Sequence, residues 1–249
     1  SYAPNADFNG SDSFVVQVSD GGLTDTITVN VTVSAVNDAP VITQGTGPLA
    51  VTMSEDGSPT TWAAPELNAT DVDAGDVLTW SVSSAAANGT ATVSGTGASP
   101  ATFTYAPDAD FTGSDSFLAQ VSDGVLTDSI TVNMTVTAVD DPPVITQGAG
   151  PLTKNVAENG VATWTATELN ATDADLGDTL NWSVSSAASN GVATVSGTGA
   201  SPSTITYVPT ADYNGADSFT LQVSDGILTD SITVNVTVTD VNDVPIDLN

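Results

Sequence analysis

One stretch constrains the fold more than any other. Val36-Asn37-Asp38-Ala39-Pro40-Val41-Ile42-Thr43-Gln44-Gly45 returns as Val139-Asp140-Asp141-Pro142-Pro143-Val144-Ile145-Thr146-Gln147-Gly148. It begins a third time as Val241-Asn242-Asp243-Val244-Pro245-Ile246. The copies stand roughly 100 residues apart, too long a period for a solenoid and the size of one β-sandwich domain. Each copy sets a pair of Asp or Asn residues just before a proline. Proline fixes its own φ and pushes the residue before it into an extended conformation. The stretch is therefore a short, stiff, anionic connector between equal units. The expected division is the last part of a repeat at 1–38, complete repeats at 39–141 and 142–243, and the start of another at 244–249. Residue 1 falls inside a repeat, so the chain reads as an excerpt of a longer protein.

Within a repeat the apolar residues alternate with polar ones. In the first partial unit Ile27, Val29, Val31 and Val33 interleave with Thr26, Thr28, Asn30, Thr32 and Ser34. Period two marks a strand with one buried face. In the first complete repeat strands are expected near 41–44 with a continuation at 49–53, then at 60–70, 77–83, 90–94, 101–105, 114–122 and 126–136. Asp, Asn, Gly, Ser and Pro gather between them, which is turn chemistry. The inward residues are Leu78, Trp80 and Val82, then Phe117, Ala119 and Val121, then Ile130, Val132, Met134 and Val136. The second repeat follows with Trp182, Phe219, Leu221, Val223, Ile232, Val234, Val236 and Val238. No segment has helical periodicity. The expected fold class is all-β, with tandem seven-stranded Ig-like sandwiches arranged end to end.

Charge narrows the partners. The formal charge is −29, with one cation, Lys154, and neither Cys nor His. Such a surface repels nucleic acid and anionic lipid. No stretch reaches the ~20 apolar residues that span a bilayer. Without Cys there is no disulfide framework, and without His the commonest transition-metal ligand is gone.

The acids are not scattered. If successive strands reverse direction, loops alternate between the two ends of each sandwich. Asp71, Asp73, Asp76 and Asp123 then share the end beside the incoming connector, as do Asp173, Asp175, Asp178 and Asp225 in the second repeat. Glu55 and Asp110 fall at the opposite end of the first repeat, with Glu158 and Asp212 in the matching places of the second. Each connector should thus gather carboxylates. Asn37 and Asp38 would be joined by Asp7, Asp71, Asp73 and Asp123. Asp140 and Asp141 would be joined by Glu55, Asp110, Asp173, Asp175 and Asp225. Like charges held this close repel and need a cation. Hard oxygen donors on flexible loops suit Ca²⁺ better than Mg²⁺, and without His or Cys they do not suit zinc. Two other accounts stay open at this point. Asp is a common turn residue, and acid-rich surfaces also occur in proteins adapted to high salt.

These motifs resemble the cadherin family. Glu55 and Glu158 resemble its early-domain Glu, and Asp71-Val72-Asp73 and Asp173-Ala174-Asp175 its D-x-D. Asp123 and Asp225 resemble its late Asp before Gly, and Asp240-Val241-Asn242-Asp243 its linker D-x-N-D. Ala35 and Ala138 depart from that linker, so one or two ions per connector are expected rather than three. The block from Tyr105 to Phe117 and the Val-Ser-Asp-Gly turn are more similar to bacterial cadherin-like and Ig-like repeats of large surface adhesins of the RTX-adhesin type. The resemblance implies a non-catalytic stalk segment, extracellular or on a bacterial surface, whose connectors calcium stiffens. Its partners would be neighbouring repeats of the same chain, with lateral or end-to-end self-assembly as a further expectation.

Remaining signals point elsewhere only weakly. The Asn-x-Ser/Thr sequons, Asn133 among them, are common in a β protein of this composition. Trp62, Trp80, Trp164 and Trp182 could stack on sugars, but Trp80 and Trp182 are in phase with the core. Paired carboxylates suit a glycosidase, yet here they recur at every connector with no insertion that would form a cleft. A carbohydrate-binding module and a filament or sheath subunit are the alternative readings.

Overall fold

The computed structural model describes residues 1–58, 60–148 and 150–242. The expected start of a further repeat at 244–249 lies outside the described residues, and so does Asp243. The chain divides into two compact units, Ser1–Ala138 and Val139–Asn249. Every regular element among the described residues is a strand, so the chain is all-β.

The first unit opens with an antiparallel hairpin of β1 (Gly10–Ser19) and β2 (Thr24–Val33). Eight strands follow. They are β3 (Val41–Ile42), β4 (Leu49–Ser54), β5 (Ala69–Thr70), β6 (Thr79–Ser84), β7 (Gly89–Thr96), β8 (Thr102–Pro107), β9 (Gly113–Ser122) and β10 (Thr127–Thr137). One sheet runs β4-β10-β9-β6, with β4 and β10 parallel and the other pairs antiparallel. The other layer holds the β7–β8 ladder and the short β3–β5 pair. At Thr79 and Trp80, β6 also pairs with β7, joining the layers along one edge.

The second unit follows the same plan. Its strands are β11 (Val144–Ile145), β12 (Leu152–Ala157), β13 (Ala162–Thr163), β14 (Ala171–Thr172), β15 (Asn181–Ser186), β16 (Gly191–Ser196), β17 (Thr204–Pro209), β18 (Gly215–Ser224) and β19 (Thr229–Thr239). The sheet β12-β19-β18-β15 faces the ladder β13-β17-β16 and the pair β11-β14. Here a single bridge, Asn181 to Thr198, takes the place of the β6–β7 seam.

Alternation explains the packing. On β9 Phe117, Ala119 and Val121 are buried while Ser114, Ser116 and Leu118 on the other phase are not. On β10 Ile130 and Val132 face Ala119 and Phe117 across the ladder, and Met134 and Val136 continue the buried face. Trp80 closes the layer from β6, and its indole N–H donates to the Gly97 carbonyl at 3.0 Å. Trp182 repeats this with Gly199 at 3.0 Å. A buried indole needs such a partner.

The structure breaks the strand expected at 60–70. Only Ala69–Thr70 is strand in the first unit; Ala162–Thr163 and Ala171–Thr172 frame a turn in the second. Pro65 has no N–H to offer a ladder and disfavours a regular residue before it. In the second unit the Glu168 carboxylate accepts from the Thr165 N–H and hydroxyl, which closes the chain into a turn. Side chains take over the lost pairing: Gln44 accepts from the Asn68 N–H, and Gln147 from the Asn170 N–H.

Candidate metal centres

Registers fix which loops meet. In the first unit Ser122 pairs with Thr127 at one end of β10, while Gly113 pairs with Val136 and Ser54 with Thr137 at the other. The eleven residues of β10 separate these ends by about 33 Å. Asp123 therefore sits at one end, and Glu55 and Asp110 at the other. Glu55 is tied there by its N–H to the Thr137 carbonyl, 3.1 Å. Asp110 holds a left-handed φ of 56° in the β8–β9 turn.

At the Asp123 end the connector is bound to its own repeat. The Asp38 N–H donates to Asp73 Oδ2 at 2.7 Å, and the Asp73 N–H donates to Asp71 Oδ1 at 3.0 Å. The Asn37 carboxamide donates to Asp123 Oδ2 at 2.9 Å. The other oxygen of Asp123 accepts from the Val125 and Leu126 N–H groups, which shapes the turn. Carboxylate oxygens of Asp71, Asp76 and Asp123 lie within 4.8 Å of one another. Asp7, at a left-handed φ of 60°, lines a cavity of about 260 Å³ together with Asp38 and Asp73.

The second unit repeats the arrangement. The Asp141 N–H donates to Asp175 Oδ2 at 2.8 Å, and the Asp175 N–H to Asp173 Oδ1 at 3.0 Å. Asp225 Oδ1 accepts from the Ile227 and Leu228 N–H groups. Oxygens of Asp140, Asp175 and Asp178 lie within 4.8 Å of one another.

Electrostatics follow from this crowding. Burial and then the charges of Asp71, Asp73 and Asp123 push the Asp76 carboxyl above the ordinary range. Burial also raises Asp140, with Asp225, Asp175, Asp178 and Asp173 adding to the shift. Asp178 is raised by burial and then by Asp173, Asp175 and Asp225. Asp123 goes the other way, because the N–H groups of Leu126 and Val125 and the Asn37 amide all donate to it. The chain's only cationic side chain is used elsewhere: Lys154 pairs with Glu168 at 3.0 Å and stands over the Trp164 ring.

Among the described residues, four carboxylate oxygens in these clusters are buried with no hydrogen-bond donor: Oδ2 of Asp71, Asp140, Asp173 and Asp225. Such an atom lacks the partner that would offset its loss of solvent. A divalent cation taking oxygen ligands would satisfy them, so the donor set fits calcium.

Of the thirteen residues expected at the connectors, Asp7, Asn37, Asp38, Asp71, Asp73 and Asp123 gather in the first unit. Asp140, Asp141, Asp173, Asp175 and Asp225 gather in the second. Glu55 and Asp110 belong to the first unit, at the end of its strands away from Asp123. Sequence reasoning left Asp76 and Asp178 out of the ligand set, although each is the third acid of its D-x-D-x-x-D loop. The Asn37 amide as a donor to Asp123 has no sequence signal beyond the Asn itself.

A model of the family described as bacterial Ig domain matches residues 1–32, 37–135 and 140–237. Among solved structures, human Protocadherin-24 EC1-2 is 16% identical over 82% of this chain and 100% of that one, with a TM-score of 0.49. Protocadherin Gamma B2 extracellular cadherin domains 1-5 is 20% identical over 94% of this chain and 47% of that one, TM-score 0.47. An endo-fucoidan hydrolase, MfFcnA4 of glycoside hydrolase family 107, is 19% identical over 96% of this chain, TM-score 0.34, and the chain spans 35% of its length. No curated protein matches the chain.

Proposed function

The chain belongs to the bacterial Ig domain family, and we propose that it is a non-catalytic structural segment of an extracellular or cell-surface adhesin, stiffened by calcium beside its connectors. The division into 1–38, 39–141 and 142–243 is part of the proposal. The observation that carries it is the set of unpaired buried carboxylate oxygens beside each connector. Turn chemistry alone accounts for Asp123 Oδ1 and Asp225 Oδ1, which cap their turns. It gives no reason for the second oxygen of Asp225 to be buried without a donor.

In this reading Asp71, Asp76 and Asp123 hold one ion, with Asp38 and Asp73 orienting the connector above it. Asp140, Asp173, Asp175, Asp178 and Asp225 hold another, beside Asp141. Calcium supplies positive charge and several oxygen-directed bonds where the protein has only repelling acids. The N–H bonds from Asp38 to Asp73 and from Asp141 to Asp175 tie the connector backbone to the loops that carry the ligands. Fixing the ligands therefore fixes the course of the connector. A sugar-binding platform is disfavoured, because Trp80, Trp164 and Trp182 are buried and Trp62 is half-buried against the core with its indole N–H donating to the Phe103 carbonyl.

Scanning calorimetry tests the reading. An ion that binds only the folded state stabilises it by ~2.7 kcal/mol at a hundredfold excess over its dissociation constant. Millimolar calcium should raise the melting temperature above that in chelator. A sodium chloride control at matched ionic strength should raise it less, since screening alone is non-specific. Identical melting temperatures in calcium, chelator and salt would refute the reading.

A further inference from the structure

We propose that the two carboxylate clusters are unequal cation sites, and that the second takes up calcium at a lower concentration than the first because Asp140 stands where the first has Asn37. The inference rests on the calcium reading above and adds an order of filling to it.

The two connectors are matched residue for residue around this position: Val36-Asn37-Asp38 against Val139-Asp140-Asp141. Their backbone ties are also matched, through Asp73 in one and Asp175 in the other. The turn acids Asp123 and Asp225 each cap their loop with Oδ1. A further difference lies in what meets Oδ2. In the first unit the Asn37 Nδ2 donates to Asp123 Oδ2 at 2.9 Å and to the Asp38 carbonyl at 3.1 Å. A neutral amide donor already meets the Asp123 oxygen that a cation would otherwise take. Binding there must displace that hydrogen bond or turn the amide round to present its oxygen.

In the second unit the matching group is a carboxylate. It adds a negative charge and removes the donor. Asp225 Oδ2 is left unpaired, as are Asp140 Oδ2 and Asp173 Oδ2. The first cluster has one such oxygen, on Asp71. Calcium affinity rises with the number of charged ligands and falls with the work of freeing them. Both effects favour the second cluster. A chain of such repeats would stiffen in steps as calcium rises, with each connector's threshold set by Asn or Asp at this one position.

Isothermal titration calorimetry of the full chain with calcium chloride, at fixed ionic strength, tests the inference. The wild type should show two classes of site whose dissociation constants differ by about tenfold or more. Asp140→Asn should remove the tight class and leave the weak one. Asn37→Asp should turn the weak class into a tight one. The two exchanges are nearly isosteric, and melting in chelator checks that each variant folds. A single class in the wild type would overturn the inference while leaving the calcium reading intact. So would a tight class that survives Asp140→Asn, or a weak class that Asn37→Asp does not strengthen. No calcium binding at all would overturn both.

Discussion

The β1–β2 and β9–β10 hairpins are two copies of one sequence plan in two environments. Their registers agree: Phe14 faces Val29 as Phe117 faces Val132, and Ser19 faces Thr24 as Ser122 faces Thr127. Their turns agree, with Asp20 Oδ1 accepting from Gly22 and Leu23 as Asp123 Oδ1 accepts from Val125 and Leu126. Even the tyrosine contact agrees. Tyr2 donates to Asp12 and stacks on Phe14, as Tyr105 donates to Asp115 and stacks on Phe117. Burial does not agree. Phe14 is 39% exposed and Phe117 1%; Ile27 is 67% exposed and Ile130 3%. Turn, register and ring stacking are therefore the same in the covered and the uncovered hairpin. The core exists only where β4, β6, β7 and β8 cover the hairpin, because two strands alone cannot bury one.

The largest test of that difference is truncation of the matched rings. Phe117→Ala should destabilise the first unit by roughly 3–5 kcal/mol, the usual cost of removing a fully packed aromatic. Trp80→Ala should cost about as much and also orphan the Gly97 carbonyl. Phe14→Ala should cost far less. Chemical denaturation of the three variants checks the order; equal losses for Phe14 and Phe117 would break the comparison.

Next in size is the acid under the tyrosine. Asp115 is buried and accepts from the N–H groups of Ala87, Asn88 and Ser116 and from the Tyr105 hydroxyl. Burial raises its pKa, but these four donors outweigh it and leave the carboxyl below its ordinary 3.8. A depressed folded-state pKa contributes stability that is complete above the unfolded value and is lost as pH falls through the folded one. The wild type should therefore lose stability steeply below about pH 4, a loss that Asp115→Asn should lessen while lowering stability near pH 7 by about 2–3 kcal/mol. Thermal melting against pH measures both. Asp12→Asn should change both far less, since the same bonds from Tyr2 and Ser13 are made there in an exposed hairpin.

The smallest effect is the most discriminating. Asp20 and Asp123 make the same turn, but only Asp123 stands among Asp71, Asp76 and Asn37. Each Asp→Ala change removes a turn cap. Only Asp123→Ala should reduce the gain in melting temperature that calcium brings to the first unit. Equal reductions for both would return these acids to turn chemistry.

Much of this was legible in the sequence because period two reports directly on which face of a strand is covered. Every expected inward residue on β9, β10, β18 and β19 is buried. The grouping of Asp71, Asp73 and Asp123 followed from strand reversal alone, since a hairpin must bring its loops back to the same end. The interrupted segment at 60–70 was not legible. Its apolar residues fit a strand, and what breaks it is a proline in one repeat and a glutamate-capped turn in the other. The asymmetry between Asn37 and Asp140 was visible as letters but not as chemistry. An amide and a carboxylate differ there only once Asp123 and Asp225 are known to lie within reach.

Small-angle scattering tests the central claim most directly, because calcium is assigned above all to the stiffness of the connector. On residues 39–243, calcium should give a narrower distribution of interatomic distances than chelator does. Asp175→Ala, which removes the acceptor of the Asp141 N–H, should broaden it in calcium while leaving the thermal transitions in chelator nearly unchanged, since domain interiors set most of the stability. Distributions that coincide for wild type and Asp175→Ala, with and without calcium, would contradict the account.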